Sequence, residues 1–206
     1  MMNTELFNQN VEAYEQWYKD YPQVFESELL AIKEQLQKLP ENLKGFEVGL
    51  GTGRFSESLG IKEGVEPSKE MAALAIKRGV SVLKGYAEQL PFGDLKFDFV
   101  LFVTVCHLDN IKHAFAEAYR VLKPAGAIVI GFLDRERSVA QQYLERRHRS
   151  TFYTVSRIEV LLKEAGFKSL EFNQTLFGNL DDIKEVQMSK EGFGEGSFIV
   201  VKATKK

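Results

Sequence analysis

The sequence predicts an α/β protein: a doubly wound, mostly parallel sheet of seven strands, with lid helices before it and an antiparallel hairpin at its C-terminal edge. Three observations carry this expectation. Short apolar runs alternate with helical patterns between Gly45 and Leu133, so that each strand is followed by a crossover favouring parallel pairing. A glycine-rich turn, Gly49-Leu50-Gly51-Thr52-Gly53, closes the first of those runs. The last two runs are separated only by polar, Gly-containing chain, which suits antiparallel neighbours.

Taken in order, Phe7, Val11, Tyr14, Tyr18 and Tyr21 recur at spacings of four and three, one face of a helix from Thr4 that closes before Pro22. A second helix is expected from Ser27 as N-cap, carrying Leu29, Ile32, Leu36 and Leu39 to Pro40. Strands follow at Phe46–Val48, Gly64–Val65, Val80–Leu83, Phe97–Val105 and Ala127–Leu133, with helices between them at Arg54–Leu59, Ser68–Arg78 and Asn110–Leu122 and a further one at Val139–His148. The chain then gives a helix at Ser156–Ala165, stopped by Gly166, and strands at Lys168–Phe177 and Ser197–Ala203.

The 206 residues make one domain at roughly 150 residues per domain. Twenty-seven basic against 29 acidic side chains leave a net charge of -2, so no basic field favours a nucleic-acid backbone. The single cysteine, Cys106, and three histidines can build neither a disulfide nor a metal cluster, which reads as a reducing, cytoplasmic protein. No apolar stretch is long enough for a membrane span.

The turn after the first strand is where chemistry concentrates. Glycines at 49, 51 and 53 remove Cβ atoms from the carboxyl end of the strand, so a ligand can lie against the backbone. Glu66 ends the next run and is placed to accept hydrogen bonds from both hydroxyls of a ribose, as a carboxylate facing a wet cleft. A dinucleotide fingerprint needs G-x-G-x-x-G; here the spacing is G-x-G-x-G, with Phe55 at the reserved place. The loop also starts from an acid, Glu47, which repels a pyrophosphate and suits an ammonium group. S-adenosylmethionine, an adenosine with an amino-acid end, a sulfonium and no phosphate, fits these constraints.

From about Lys44 to Gly131 the chain resembles the class I S-adenosylmethionine-dependent methyltransferases, especially the small type 11 group. The resemblance rests on Glu47 to Phe55, Gly64-Val65-Glu66-Pro67-Ser68 with Met71, Gly85 to Phe92, Phe97-Asp98-Phe99-Val100-Leu101, and Ala118 to Gly126, in family order and spacing. The flanks resemble a bacterial and archaeal subgroup of small-molecule methyltransferases, some labelled as histamine N-methyltransferases. The resemblance implies that Gly49, Gly51 and Gly53 line the methionine part, with Glu47 near its amino group and Glu66 on the ribose diol. It further implies Pro67, Met71, Ala87 and Glu88 around the adenine, and Val103 and Thr104 under the sulfonium. Many members have Asp where this chain has Glu47, and a smaller residue in place of Leu50.

On this reading the chain divides into a helical lid (1–40), a cofactor-binding core (41–134) and an acceptor-side segment with the C-terminal strands (135–206). Methyl transfer needs chiefly an aligned, desolvated nucleophile. His107, just past the fourth strand, is the candidate general base, or else a loop histidine that shapes the pocket; Cys106 reads as a small buried residue. Tyr14 and Tyr18 are the lid aromatics expected to face the site, since aromatic faces attract a sulfonium. Arg135, Arg137, Arg146, Arg147 and Arg149 are either a receptor for an anionic acceptor or a solvated face. The expected partner is a small-molecule acceptor. The competing functions are a non-catalytic cofactor-binding regulator and a nicotinamide-dependent oxidoreductase; nucleic-acid methylation is disfavoured by Thr104-Val105-Cys106-His107, which is no Asn-Pro-Pro-Tyr segment.

Overall fold

The protein, a computed structural model, is described over residues 11–104, 108, 110–146 and 152–206, without the side chains of residues 144–146. Two helices open it, α1 (Val11–Asp20) and α2 (Pro22–Gln37). The expected start of α2 at Ser27 is corrected to Pro22. Proline at the first helical position costs no hydrogen bond, because that N–H would have no intrahelical partner. Ser27 lies inside the helix, buried, its hydroxyl donating to the Gln23 carbonyl at 2.6 Å. The buried face of α2 mixes Val24, Ala31 and Ile32 with Ser27, Glu28 and Gln35, and those polar residues hide its amphipathic period.

The sheet comprises β1 (Gly45–Val48), β2 (Glu63–Val65), β3 (Ser81–Leu83), β4 (Phe97–Val103), β5 (Leu122–Leu133), β6 (Lys168–Thr175), β7 (Lys190–Glu191) and β8 (Phe198–Thr204), in the order β3-β2-β1-β4-β5-β8-β6-β7. β1 to β5 are parallel, and β8 lies antiparallel between β5 and β6. The two-residue β7 adds an eighth strand to the seven expected. β5 begins at Leu122 rather than Ala127, and β4 ends at Val103 rather than Val105, where Thr104 turns left-handed at φ 47°.

The helices α3 (Arg54–Leu59), α4 (Lys69–Lys77), α5 (Ile111–Val121), α6 (Ser138–Arg146) and α7 (Val155–Glu164) fall within a few residues of the expected positions. Ser68, Asn110 and Thr154 cap three of them, each side-chain oxygen accepting a first-turn N–H. Central strands are buried on both faces: along β4, Val100 and Phe102 join the cluster under α5 and α7, while Leu101 and Val103 join the one under α1 and α2. From β1 the chain winds outward to β3, then returns to β4 on the other side. That reversal opens a crevice at the carboxyl ends of β1 and β4.

Candidate functional site

The crevice is floored by the glycine turn. Gly49, Gly51 and Gly53 all adopt positive φ, which admits them with no steric cost. Two of the three have distinct tasks. A Cβ on Gly51 would stand 3.2 Å from the Tyr14 hydroxyl, so this glycine keeps room between loop and lid. A Cβ on Gly53 would stand 2.9 Å from the Cβ of Ala75 on α4, so its smallness serves the packing of α3 against α4. The third glycine, expected among the lining residues, thus has a packing reason of its own.

Two acids flank the turn. Glu66 is 7% exposed and braces the loop, one carboxylate oxygen accepting the Gly51 N–H at 2.9 Å and the other the Ser68 N–H at 2.8 Å. It is no wet strand-end carboxylate, as the sequence suggested, but each oxygen retains a lone pair for a further donor. Burial pushes its carboxyl up against those two hydrogen bonds. Glu47, 1% exposed, accepts the Ser56 hydroxyl, and burial pushes it up to about 8, with the charge of Glu66 adding to the rise. Among the described residues no cation pairs with either.

The lid closes over this floor. Tyr14 feels both Glu47 and Glu66, and its hydroxyl accepts from Tyr18 at 2.9 Å. Tyr18 stands behind Tyr14 and carries the Arg54 guanidinium over its ring at 4.9 Å, so that face is already taken by a cation of the chain itself. Trp17 packs on Tyr21 and on Tyr143 of α6, at centroid separations of 4.2 and 4.5 Å. A clamp the sequence did not suggest fixes α1: Glu15 accepts from Arg54 and, at 2.7 Å, from Arg78, while Arg78 also donates to the Thr52 carbonyl in the glycine turn. These partners hold the Glu15 carboxyl down to about 2 against the upward push of burial.

Along the rim, Pro67 is half-buried and Met71 buried on α4. Ala87 is buried, and Glu88 accepts the Asn110 N–H at 3.3 Å, joining the loop after β3 to the start of α5. Val103 is buried at the end of β4, and the Thr104 N–H donates to the Gly131 carbonyl at 2.8 Å. His107, Cys106, Arg147 and Arg149 lie outside the described residues. Arg137 lies 3.7 Å from the carboxylate of buried Asp134, so it is engaged within the chain. One acid was missed altogether: Glu28 of α2, buried near Tyr18. It follows Ser27, which the sequence read as the N-cap, so that Glu28 read as a first-turn acid and nothing marked its side chain as inward-facing.

The arrangement favours a ligand with hydroxyls and positive charge. Two buried carboxyls lacking a cation offer a phosphate no positive partner, while the lone pairs left on Glu66 suit a diol and the Glu47 carboxyl suits an ammonium. The space above Gly51, bounded by the Tyr14 hydroxyl, is a cradle that any Cβ would narrow.

Comparison with known proteins agrees with this chemistry. Residues 46–130 match the family model for a methyltransferase domain. A Methanocaldococcus jannaschii protein without an assigned function is 39% identical over 207 residues, covering 97% of this chain and 98% of its own. A Mycobacterium tuberculosis relative is 33% identical over 175 residues, and this chain spans only 60% of its length. Among solved structures, a SAM-dependent methyltransferase of Thermotoga maritima, described as a "possible histamine N-methyltransferase", superposes with a TM-score of 0.92 at 42% identity, over 98% of this chain and 99% of that one.

Proposed function

Because the chain belongs to the class I S-adenosylmethionine-dependent methyltransferases and uses that cofactor, we propose that it methylates a small-molecule acceptor in the cytoplasm by in-line displacement at the sulfonium methyl. When bound, S-adenosylmethionine supplies a methyl carbon activated by its positively charged sulfur.

The residues then have separable tasks. Glu66 accepts the ribose hydroxyls on its two remaining lone pairs while holding the Gly51 and Ser68 amides. Glu47 faces the amino-acid end, where an ammonium would offset a buried acid that otherwise sits high in pKa. Gly49 and Gly51 leave the floor open; Pro67, Met71, Ala87 and Glu88 border the adenine; Val103 and Thr104 lie beneath the reacting centre. Tyr14 covers the loop and excludes water, with Tyr18 fixing its hydroxyl. His107 takes a proton where the acceptor must lose one.

The observation that carries this reading is the Glu66–Gly51–Tyr14 constellation at the carboxyl end of β1. Calorimetry tests it: S-adenosylhomocysteine should bind at micromolar or tighter affinity, and NAD and NADP should not. Micromolar binding of a dinucleotide with none of S-adenosylhomocysteine would overturn the assignment.

A further inference from the structure

We propose that the acceptor carries an ammonium group and that Glu28, buried on α2 near Tyr18, binds it; this rests on the methyltransferase reading above. Glu28 lies on the buried face of α2, between Val24 one turn before it and Ile32 one turn after. Ile32 approaches β5 at Gly131, where a Cβ would come within 3.4 Å of its Cδ1. Since α2 follows directly from α1, whose Tyr14 covers the glycine turn, the turn carrying Glu28 lies nearer the carboxyl edge of the sheet than Ile32 does. The Tyr18 hydroxyl feels both Glu28 and Tyr143, and on its other side donates to Tyr14 over the cofactor loop. Glu28 is therefore separated from the cofactor floor by two tyrosines, as an acceptor-binding group should be.

Glu28 is 7% exposed, and among the described residues it has no hydrogen-bond donor and no cation. It performs no structural service: it caps no helix, bridges no strands, and lies past the first turn of α2, where the helix dipole no longer helps an acid. Burial alone pushes its carboxyl up to about 8. A carboxyl kept in such a place at a cost to folding is explained by a partner that arrives with the ligand. An anionic partner is opposed by Glu28, Glu47 and Glu66 together. Among the described residues, Arg54 is engaged by Glu15, and Arg137 lies 3.7 Å from the Asp134 carboxylate. A cation on the ligand favours the ionised carboxylate that burial opposes.

The test uses the full chain saturated with S-adenosylhomocysteine and four amines, 2-phenylethylamine, tyramine, histamine and 1,5-diaminopentane, each paired with its alcohol analogue. Dissociation constants come from ligand-observed NMR titration. At least one amine should bind ten times or more tighter than its alcohol, and Glu28→Gln should reduce that preference to within threefold. The variant should keep S-adenosylhomocysteine affinity within threefold and melt no lower than wild type, because it loses a buried acid without a partner. Alcohols binding as well as all four amines, or a preference surviving in Glu28→Gln, overturns the proposal. So does a melting temperature lowered by several degrees, which would make Glu28 a structural acid. If S-adenosylhomocysteine itself fails to bind wild type, the methyltransferase reading fails instead, and calorimetry without amine separates the two cases.

Discussion

Replacing Glu66 by alanine should damage the protein twice, and the two effects are separable. Its carboxylate takes the Gly51 amide at 2.9 Å and the Ser68 amide at 2.8 Å, so truncation strands two backbone donors at a site only 7% exposed. A stranded buried donor costs about 1–3 kcal/mol, and water entering the gap brings the pair to about 3 kcal/mol. For a chain of this size that lowers the melting temperature by roughly 10 °C. Cofactor binding loses two charge-assisted hydrogen bonds, about 1.5–3 kcal/mol each, and the ordered loop as well; the affinity should fall about a hundredfold or more. Glu66→Gln keeps the shape but turns an NH2 towards one of the two amides, so its melting temperature should fall less than that of alanine while its affinity falls nearly as far. Calorimetry with S-adenosylhomocysteine and with its 2′,3′-dideoxy analogue divides the loss: the analogue should bind wild type poorly and lose little further in the variant beyond the loop effect. A Glu66→Ala protein that binds the normal product within threefold of wild type would refute the ribose role, and one that melts where wild type does would refute the bracing role.

Other perturbations follow from the same geometry. Glu28 and Glu47 are raised to about 8 from 4.5, so the folded state holds protons that the unfolded chain releases; stability should fall as pH rises from 4.5 through 8, seen as a lower melting temperature at pH 8.5 than at pH 5.5, and Glu47→Gln should flatten that slope. Glu15→Gln weakens the contacts to Arg54 and Arg78, both partly exposed, and should cost about 1–2 kcal/mol of local stability, read as faster amide exchange over residues 11–20 with the sheet unchanged; equal exchange in both proteins would show that the clamp does not hold α1. His107→Ala should leave product affinity unchanged and lower the rate on the true acceptor by roughly 10²- to 10⁴-fold, whereas a loss under threefold would return His107 to a shaping role.

The sheet was legible because its signals are local. β4, apolar but for Asp98, and the Ala127–Leu133 stretch of β5 read as strands covered on both faces, and Ser68, Asn110 and Gly166 mark helix ends by chemistry that needs no tertiary contact. The glycine turn and Glu66 were legible for the same reason, lying on adjacent strand ends. What escaped depends on distant partners. The start of α2 was misread because its inward face carries Ser27, Glu28 and Gln35, whose burial only the packing against β5, β6 and β8 reveals. The separate task of Gly53 comes from Ala75 on another helix, and the Glu15 clamp from arginines far along the chain. No sequence period records such meetings.

The buried acids also constrain how this protein can be altered. Screens for thermostability reward the removal of buried ionisable groups that lack an opposite charge, and among the described residues Glu28 and Glu47 are such groups. Substitutions that improve melting behaviour should therefore accumulate around the cleft, where they would erase recognition rather than tune it. An engineer seeking a hardier version should leave α2 and the end of β1 alone and work on exposed apolar positions such as Met188 and Phe193.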